Sequence, residues 1–187
     1  MSKLKRCWWA GEDTLYQDYH DHEWGKPVYE DREWFEFLVL ETFQAGLSWI
    51  TILRKRKNFF DAFDQFDYKK IALYGAEKEA ELLQNTGIIR NKLKVKSAIS
   101  NAQAFIKVRE EFGSFNDYIW AFVNHQPIIN HFKEISEVPA NTPLSDKISK
   151  DLKKRGFKFV GTTVVYALMQ SCGLVNDHLM DCDYREK

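Results

Sequence analysis

The sequence predicts an all-α protein. Apolar residues recur at helical spacing through most of the 187 residues, period-two alternation is scarce, and the four prolines sit outside the helical stretches. The length suits one domain, or two small lobes sharing a core.

The elements follow in order. Asp13 or Thr14 caps a short helix carrying Leu15, Tyr16, Tyr19 and His20, and Tyr16, Tyr19 and His20 share a face at i, i+3, i+4. A longer helix runs from about Asp31 through Trp34, Phe35, Phe37, Leu38 and Leu40 to Gly46, and Ser48 then caps a helix starting at Trp49. Further helices are expected near 76–85, 92–112, 115–123, 145–155 and 163–172. Asn124 to Pro143, with three of the prolines, reads as a long connection.

Three cysteines and no apolar leader argue against a secreted disulfide framework and for a reducing compartment, with Cys172 a buried small hydrophobe. The polar start Met1-Ser2-Lys3-Leu4-Lys5-Arg6 is no signal peptide, and no apolar run is long enough to span a bilayer. A soluble intracellular protein is expected.

The formal net charge is zero, yet about half of the 27 basic residues fall in three blocks: Arg54 to Lys57; Arg90, Lys92, Lys94 and Lys96; and Lys147, Lys150, Lys153, Lys154, Arg155 and Lys158. Any one block reads as a solvated helix face. Three, each beside a predicted helix end, suggest a phosphate-facing surface.

Glu41 contradicts its surroundings. Its neighbours one turn away are Phe37, Leu38 and Ala45, so its carboxylate lies on an apolar face, where an unpaired charge is expensive. Either a tyrosine hydroxyl or backbone amides satisfy it, or it receives a cationic or hydrogen-bond-donating ligand. Trp49, Tyr16 and Tyr19 would then supply flat walls for a planar cation.

Leu82 to Lys92 reads as an apolar helix end, a tight turn at Gly87-Ile88, and a basic helix entered through Arg90 and Lys92; such a hairpin can aim backbone N–H groups at a phosphate. A second glycine-punctuated turn, with Lys154, Arg155 and Lys158, could brace the same backbone.

Cys7 and His20 near the start, with His178 and Cys182 near the finish, form the set of two thiolates and two imidazoles that closes a tetrahedral zinc site without leaving a position for water. The alternative is unconnected surface histidines and core cysteines. A shared ion would require the chain ends to meet.

Taken in order, Tyr19-His20-Asp21, Glu23-Trp24-Gly25, Gln44-Ala45-Gly46-Leu47-Ser48-Trp49, Thr86-Gly87-Ile88-Ile89-Arg90, Val123-Asn124-His125-Gln126-Pro127, Lys154 to Thr163 and Cys172 to His178 closely resemble the 3-methyladenine DNA glycosylase I family over nearly the whole chain. The resemblance implies a helix-hairpin-helix DNA glycosylase fold, two helical lobes with the substrate pocket between them. Segments of about 1–30 and 165–187 would form a lobe clipped by one structural Zn²⁺, and about 75–125 the hairpin lobe, within a single domain of 1–187. It implies a monofunctional enzyme that flips 3-methyladenine out of double-stranded alkylated DNA and hydrolyses it away, releasing the free base and leaving an abasic site. Glu41 would be its functional acid, and Tyr16, Tyr19, Trp49, Trp9 and Trp24 its base pocket.

On that reading Leu47, with Gln44, is the wedge that fills the vacated stack. Asp117 is a helix-capping or surface residue rather than a catalytic acid, and Lys92 is no Schiff-base lysine. A monomer in a bacterial cytoplasm, at the nucleoid when acting, is expected. The competing reading is a zinc-stabilised damage-binding DNA module that cleaves nothing.

Overall fold

The computed structural model describes residues 4–185; Met1 to Lys3 of the polar start and Glu186 and Lys187 of the C-terminal segment lie outside the described residues. The α-helices are α1 (Thr14–His22), α2 (Asp31–Gln44), α3 (Trp49–Ala62), α4 (Tyr68–Ile71), α5 (Ala76–Gln84), α6 (Lys92–Phe112), α7 (Phe115–Trp120), α8 (Pro143–Lys154) and α9 (Thr162–Ser171). No helix among the described residues is long and apolar enough to cross a membrane.

Helix starts follow the local chemistry. The Asp13 carboxylate accepts from the N–H groups of Leu15 and Tyr16, Asn91 caps α6 through the Lys94 N–H, and Ser114 caps α7 through the Asp117 N–H. Asp117 is therefore the recipient of a cap, and its side chain is exposed. Ser48 occupies the cap position of α3, but its hydroxyl pairs with Thr51 Oγ1 at 2.7 Å instead of capping the backbone. Pro143 lies inside a helix, contrary to the sequence expectation. It opens α8 at the first helical position, where its missing N–H costs nothing, behind a capping box of Thr142 and Ser145.

Helix α2 is the axis of the molecule. It packs against α3, α6, α7 and α9, and every residue from Phe37 to Phe43 is buried. A helix apolar nearly all round has to be enclosed by others. The indoles of Trp34 and Trp120 both donate to the Val28 carbonyl, at 3.1 and 2.9 Å, fixing the entry to α2 against α7.

Three features had no signal in the periodicity. Residues 64–66 form a left-handed turn with φ of 49°, 59° and 57°, an arrangement costing roughly 1–2 kcal/mol per residue; burial of Phe66 and a hydrogen bond from Arg32 Nε to the Gln65 carbonyl at 2.7 Å offset it. The long connection contains β1 (Ile128–Ile129), which pairs in parallel with β2 (Val175–Asn176). The turn after α9 is held by Gly173, whose φ of 69° and distance of 2.2 Å from a would-be Cβ to the Lys26 carbonyl carbon leave no room for a side chain.

Candidate active site

A cavity of about 250 Å³ opens between α1, α2, α3 and α9, walled by Trp9, Tyr16, Tyr19, Trp24 and Trp49 with Glu41 in its lining. The walls are mutually packed: Trp9 lies 4.9 Å from both Tyr16 and Trp24, and Tyr19 lies 5.5 Å from Trp49, between ring centres. The five aromatics expected around Glu41 are thus brought together with it.

Glu41 is 2% exposed. Ser171 donates to its Oε1 at 2.5 Å, and the Tyr19 hydroxyl donates to Ser171 Oγ at 3.0 Å. Burial pushes the Glu41 carboxyl up to about 8, against the opposing effect of the Ser171 hydroxyl. Burial likewise raises Tyr19 and Tyr16, and the Glu41 charge adds to both shifts. The result is a carboxyl that ionises readily only when a cation or strong donor enters.

Sequence reasoning paired Glu41 with a tyrosine or backbone amides and missed Ser171, which stands between. Spacing on α9 could have found it, since Ala167, Gln170 and Ser171 share a face and all line the cavity. Ile135 and Val138, from the long connection, complete the wall. Asp177, also in the lining, accepts from Tyr166, Gln170 and Asn130 at 2.5, 2.9 and 2.7 Å, tying α9 and the connection to the C-terminal segment.

Behind the aromatic wall, Cys7, His20, His178 and Cys182 are buried, with their four ligand atoms all within 4.8 Å of one another. Cys182 Sγ lies 3.6 Å from His20 Nε2 and 3.4 Å from His178 Nδ1, and Cys7 Sγ lies 3.7 Å from His178 Nδ1. Those spacings match the edge of about 3.5 Å expected for a tetrahedron with sulfur at ~2.3 Å and nitrogen at ~2.0 Å. The other ring nitrogens are oriented for the same purpose: His20 Nδ1 meets Asp21 at 2.8 Å and His178 Nε2 meets the Trp24 carbonyl at 2.9 Å. Arg6 grips Asp21 through Nε and Nη2. The cluster fits a metal ion held entirely by protein.

The basic blocks divide. Arg90, Lys92, Lys154 and Lys158 are exposed. Arg155 is not available as a free cation: it pairs with Asp151 and Glu111 and lies over the rings of Phe112 and Tyr118. Arg56 is similarly held by Glu23 and Glu36. Lys94 points inward, 7% exposed. In the hairpin, Gly87 and Ile88 give their N–H groups to Asn85, at its side chain (2.8 Å) and carbonyl (3.4 Å), and the Ile88 side chain is buried, so neither presents a donor to a phosphate as expected. Gln44 donates to the Leu47 carbonyl at 2.7 Å, bracing a turn on which Leu47 is 38% exposed.

Comparison with known proteins bears on what this arrangement serves. The chain is 49% identical over 179 residues to DNA-3-methyladenine glycosylase 1 of Escherichia coli strain K12, covering 96% of each. It is 50% identical over 177 residues to DNA-3-methyladenine glycosylase of Haemophilus influenzae, covering 95% of this chain and 96% of that one. A tyrosine-to-phenylalanine variant of a 3-methyladenine DNA glycosylase I, solved in complex with 3-methyladenine, superposes with a TM-score of 0.95 at 33% identity, over 98% of this chain and 99% of the other. Residues 9–186 match the family model for methyladenine glycosylase, and the chain belongs to that family.

Proposed function

We propose that this protein is a DNA-3-methyladenine glycosylase of base-excision repair, with the Glu41 cavity as its base pocket. The observation that carries the assignment of the pocket is the buried Glu41 carboxyl, held on one oxygen by Ser171 and facing an aromatic enclosure. At about 250 Å³ the cavity is smaller than the roughly 300–1,000 Å³ of sites for drug-sized ligands, which suits a single nucleobase.

Methylation at N3 places a positive charge on the adenine and weakens its bond to the sugar. The nucleotide leaves the duplex, at lower cost than an undamaged one, and enters the pocket. Trp49, Tyr16 and Tyr19 pack on the base while Trp9 and Trp24 close the wall. The charge lowers the cost of ionising Glu41, whose free oxygen then accepts from the adenine edge. The N9–C1′ bond breaks with its electron pair passing to the base, which leaves neutral; water bonds to C1′ and surrenders a proton, giving free 3-methyladenine and an abasic site. Normal adenine lacks the charge, gains less from Glu41 and is the poorer leaving group.

Around this chemistry, α5, the turn at 85–91 and α6 serve as the helix-hairpin-helix that grips double-stranded DNA, through Arg90 and Lys92, with Lys154 and Lys158 alongside and Leu47 as the wedge. Cys7, His20, His178 and Cys182 would hold one zinc ion, joining segments of about 1–30 and 165–187 in one lobe beside the hairpin lobe of about 75–125. Two thiolates and two imidazoles are the donor set of a structural ion, which would supply stability and no step of the reaction. One DNA-binding face requires only a monomer.

The test is release of free base from methylated duplex DNA by the purified protein, each base identified by mass, with Glu41→Ala measured alongside. The expected result is prompt release of 3-methyladenine, retention of 7-methylguanine, and impairment in Glu41→Ala. No release from a folded, metal-loaded, DNA-binding protein would move the assignment to a damage-binding module.

A further inference from the structure

Lys94 is a buried cation with no carboxylate contributing to its environment; burial alone lowers its affinity for a proton. Its Nζ donates to the carbonyls of Phe43 at 2.8 Å and Ala45 at 2.6 Å. These belong to the last turn of α2 and the turn that follows, where carbonyls have lost their helical partners. The intervening Gln44 carbonyl is taken by the Leu47 N–H at 2.7 Å. A lysine from another helix therefore does what a local glycine cap ordinarily does.

The origin of that lysine is informative. Lys92 and Lys94 are two residues apart on α6, so they are turned by about 200° around its axis. Lys92 faces solvent on the hairpin side while Lys94 reaches inward, from the same first turn, to the base of the Leu47 turn. For stability alone a buried charge is a poor choice, since an apolar side chain and a backbone cap would avoid its desolvation. What the ammonium uniquely supplies is a fixed span between the hairpin helix and the α2–α3 turn.

The geometry points to Lys94 as a positioning residue that sets the Leu47 turn in register with the hairpin, so that gripping the strand and filling the stack occur together. This rests on the base-excision reading above, in which Leu47 enters the duplex. Glu41 and its Ser171 contact lie outside the connection, one turn back along α2.

The experiment compares Lys94→Met, Lys94→Arg, Leu47→Ala and the double variant Leu47→Ala/Lys94→Met with the parent in three assays. These are quenching of tryptophan fluorescence by free 3-methyladenine, single-turnover excision from methylated duplex, and fluorescence of a duplex carrying 2-aminopurine beside a tetrahydrofuran site. Lys94→Met is expected to bind the free base within about twofold of the parent, yet lose on the order of 10- to 100-fold in excision through misplacement of the turn. It should also lose the 2-aminopurine signal, with partial rescue in Lys94→Arg. The double variant should excise no more slowly than the slower single one, because both changes disable one device. Unchanged excision, a parallel fall in free-base binding, or losses that multiply would each overturn the proposal. If Lys94→Met does not fold, Lys94→Gln enters the same cycle with the same criteria. The 2-aminopurine assay needs no bond cleavage, so a parent that inserts Leu47 but releases no base would fault the base-excision reading alone.

Discussion

Replacing Glu41 by Gln should change how stability depends on pH, in a direction that the burial of the carboxyl dictates. In the folded protein this group is raised from 4.5 to about 8, so the native state keeps its proton where the unfolded chain has lost it. The stabilisation is fully present below about pH 4.5 and drains away as pH climbs to about 8, at up to about 1.4 kcal/mol per unit. Between about pH 5 and pH 8 the parent should lose roughly 3 kcal/mol that Glu41→Gln, which cannot ionise, keeps. Urea denaturation at both pH values measures the difference, and titrations common to both proteins cancel in it. Parallel stability curves would refute the claim that Glu41 is protonated in the empty pocket. The same group predicts a kinetic signature: kcat/KM for excision should rise with pH towards about 8, because the free enzyme must ionise Glu41 to meet a cationic base. Glu41→Gln should excise more slowly, with that dependence removed.

Chelation should lower the thermal midpoint far more than the single-turnover rate of the fraction that stays folded; a large rate loss in fully folded, metal-free protein would assign the ion a role in the reaction. Asp21→Ala, which strips His20 of its carboxylate partner, should weaken metal binding roughly 10- to 100-fold in a competition titration with a chromophoric chelator, and unchanged affinity would deny Asp21 that role. Asp117→Asn should retain parental excision, whereas a loss of 100-fold or so would make it the catalytic acid after all. Gly173→Ala should destabilise by several kcal/mol in urea, combining a left-handed backbone with a collision against Lys26; a midpoint near the parent's would show that the 26–27 segment moves aside freely.

What was legible in the sequence was what short-range chemistry determines. Asp13 caps α1 because a carboxylate oxygen reaches N–H groups two or three residues on, and Gly46 ends α2 with φ of 82° because the turn needs a residue without a Cβ. Glu41 was visible for a related reason: a charge on an apolar helix face is a local contradiction that demands a distant remedy. The remedy itself was hidden, since Ser171 lies 130 residues away and a serine near a helix end carries no signal of its own. Lys94 and Arg155 misled in the same way. Composition groups them with exposed cations, but whether a lysine faces water or a carbonyl depends on which side of α6 the chain buries, and on a helix two residues reverse the direction. The turn at 64–66 has no glycine or asparagine to announce its left-handed backbone.

The cluster of Cys7, His20, His178 and Cys182 and the pocket are better understood as one construction than as neighbours. Trp9 stands two residues after Cys7, Tyr19 immediately before His20, and Asp177 immediately before His178, so three of the four ligands sit on segments whose next side chains line the cavity. His178 is further tied to the Trp24 carbonyl. The opposite wall comes from elsewhere in the chain: Glu41 and Trp49 stand on α2 and α3, and they meet the terminal segments through Ser171, which donates to Glu41, and Tyr19, which packs on Trp49. Loosening the cluster would therefore disturb the aromatic side of the pocket first, and reach the carboxyl side through the hydrogen bonds from Tyr19 to Ser171 and from Ser171 to Glu41. Tyr19 and Trp24 are buried in the hydrophobic core, so the four ligands add a local fastening to an aromatic wall, within residues 9–24, that packing already holds, and they fix its position relative to Asp177 and the segment that follows α9.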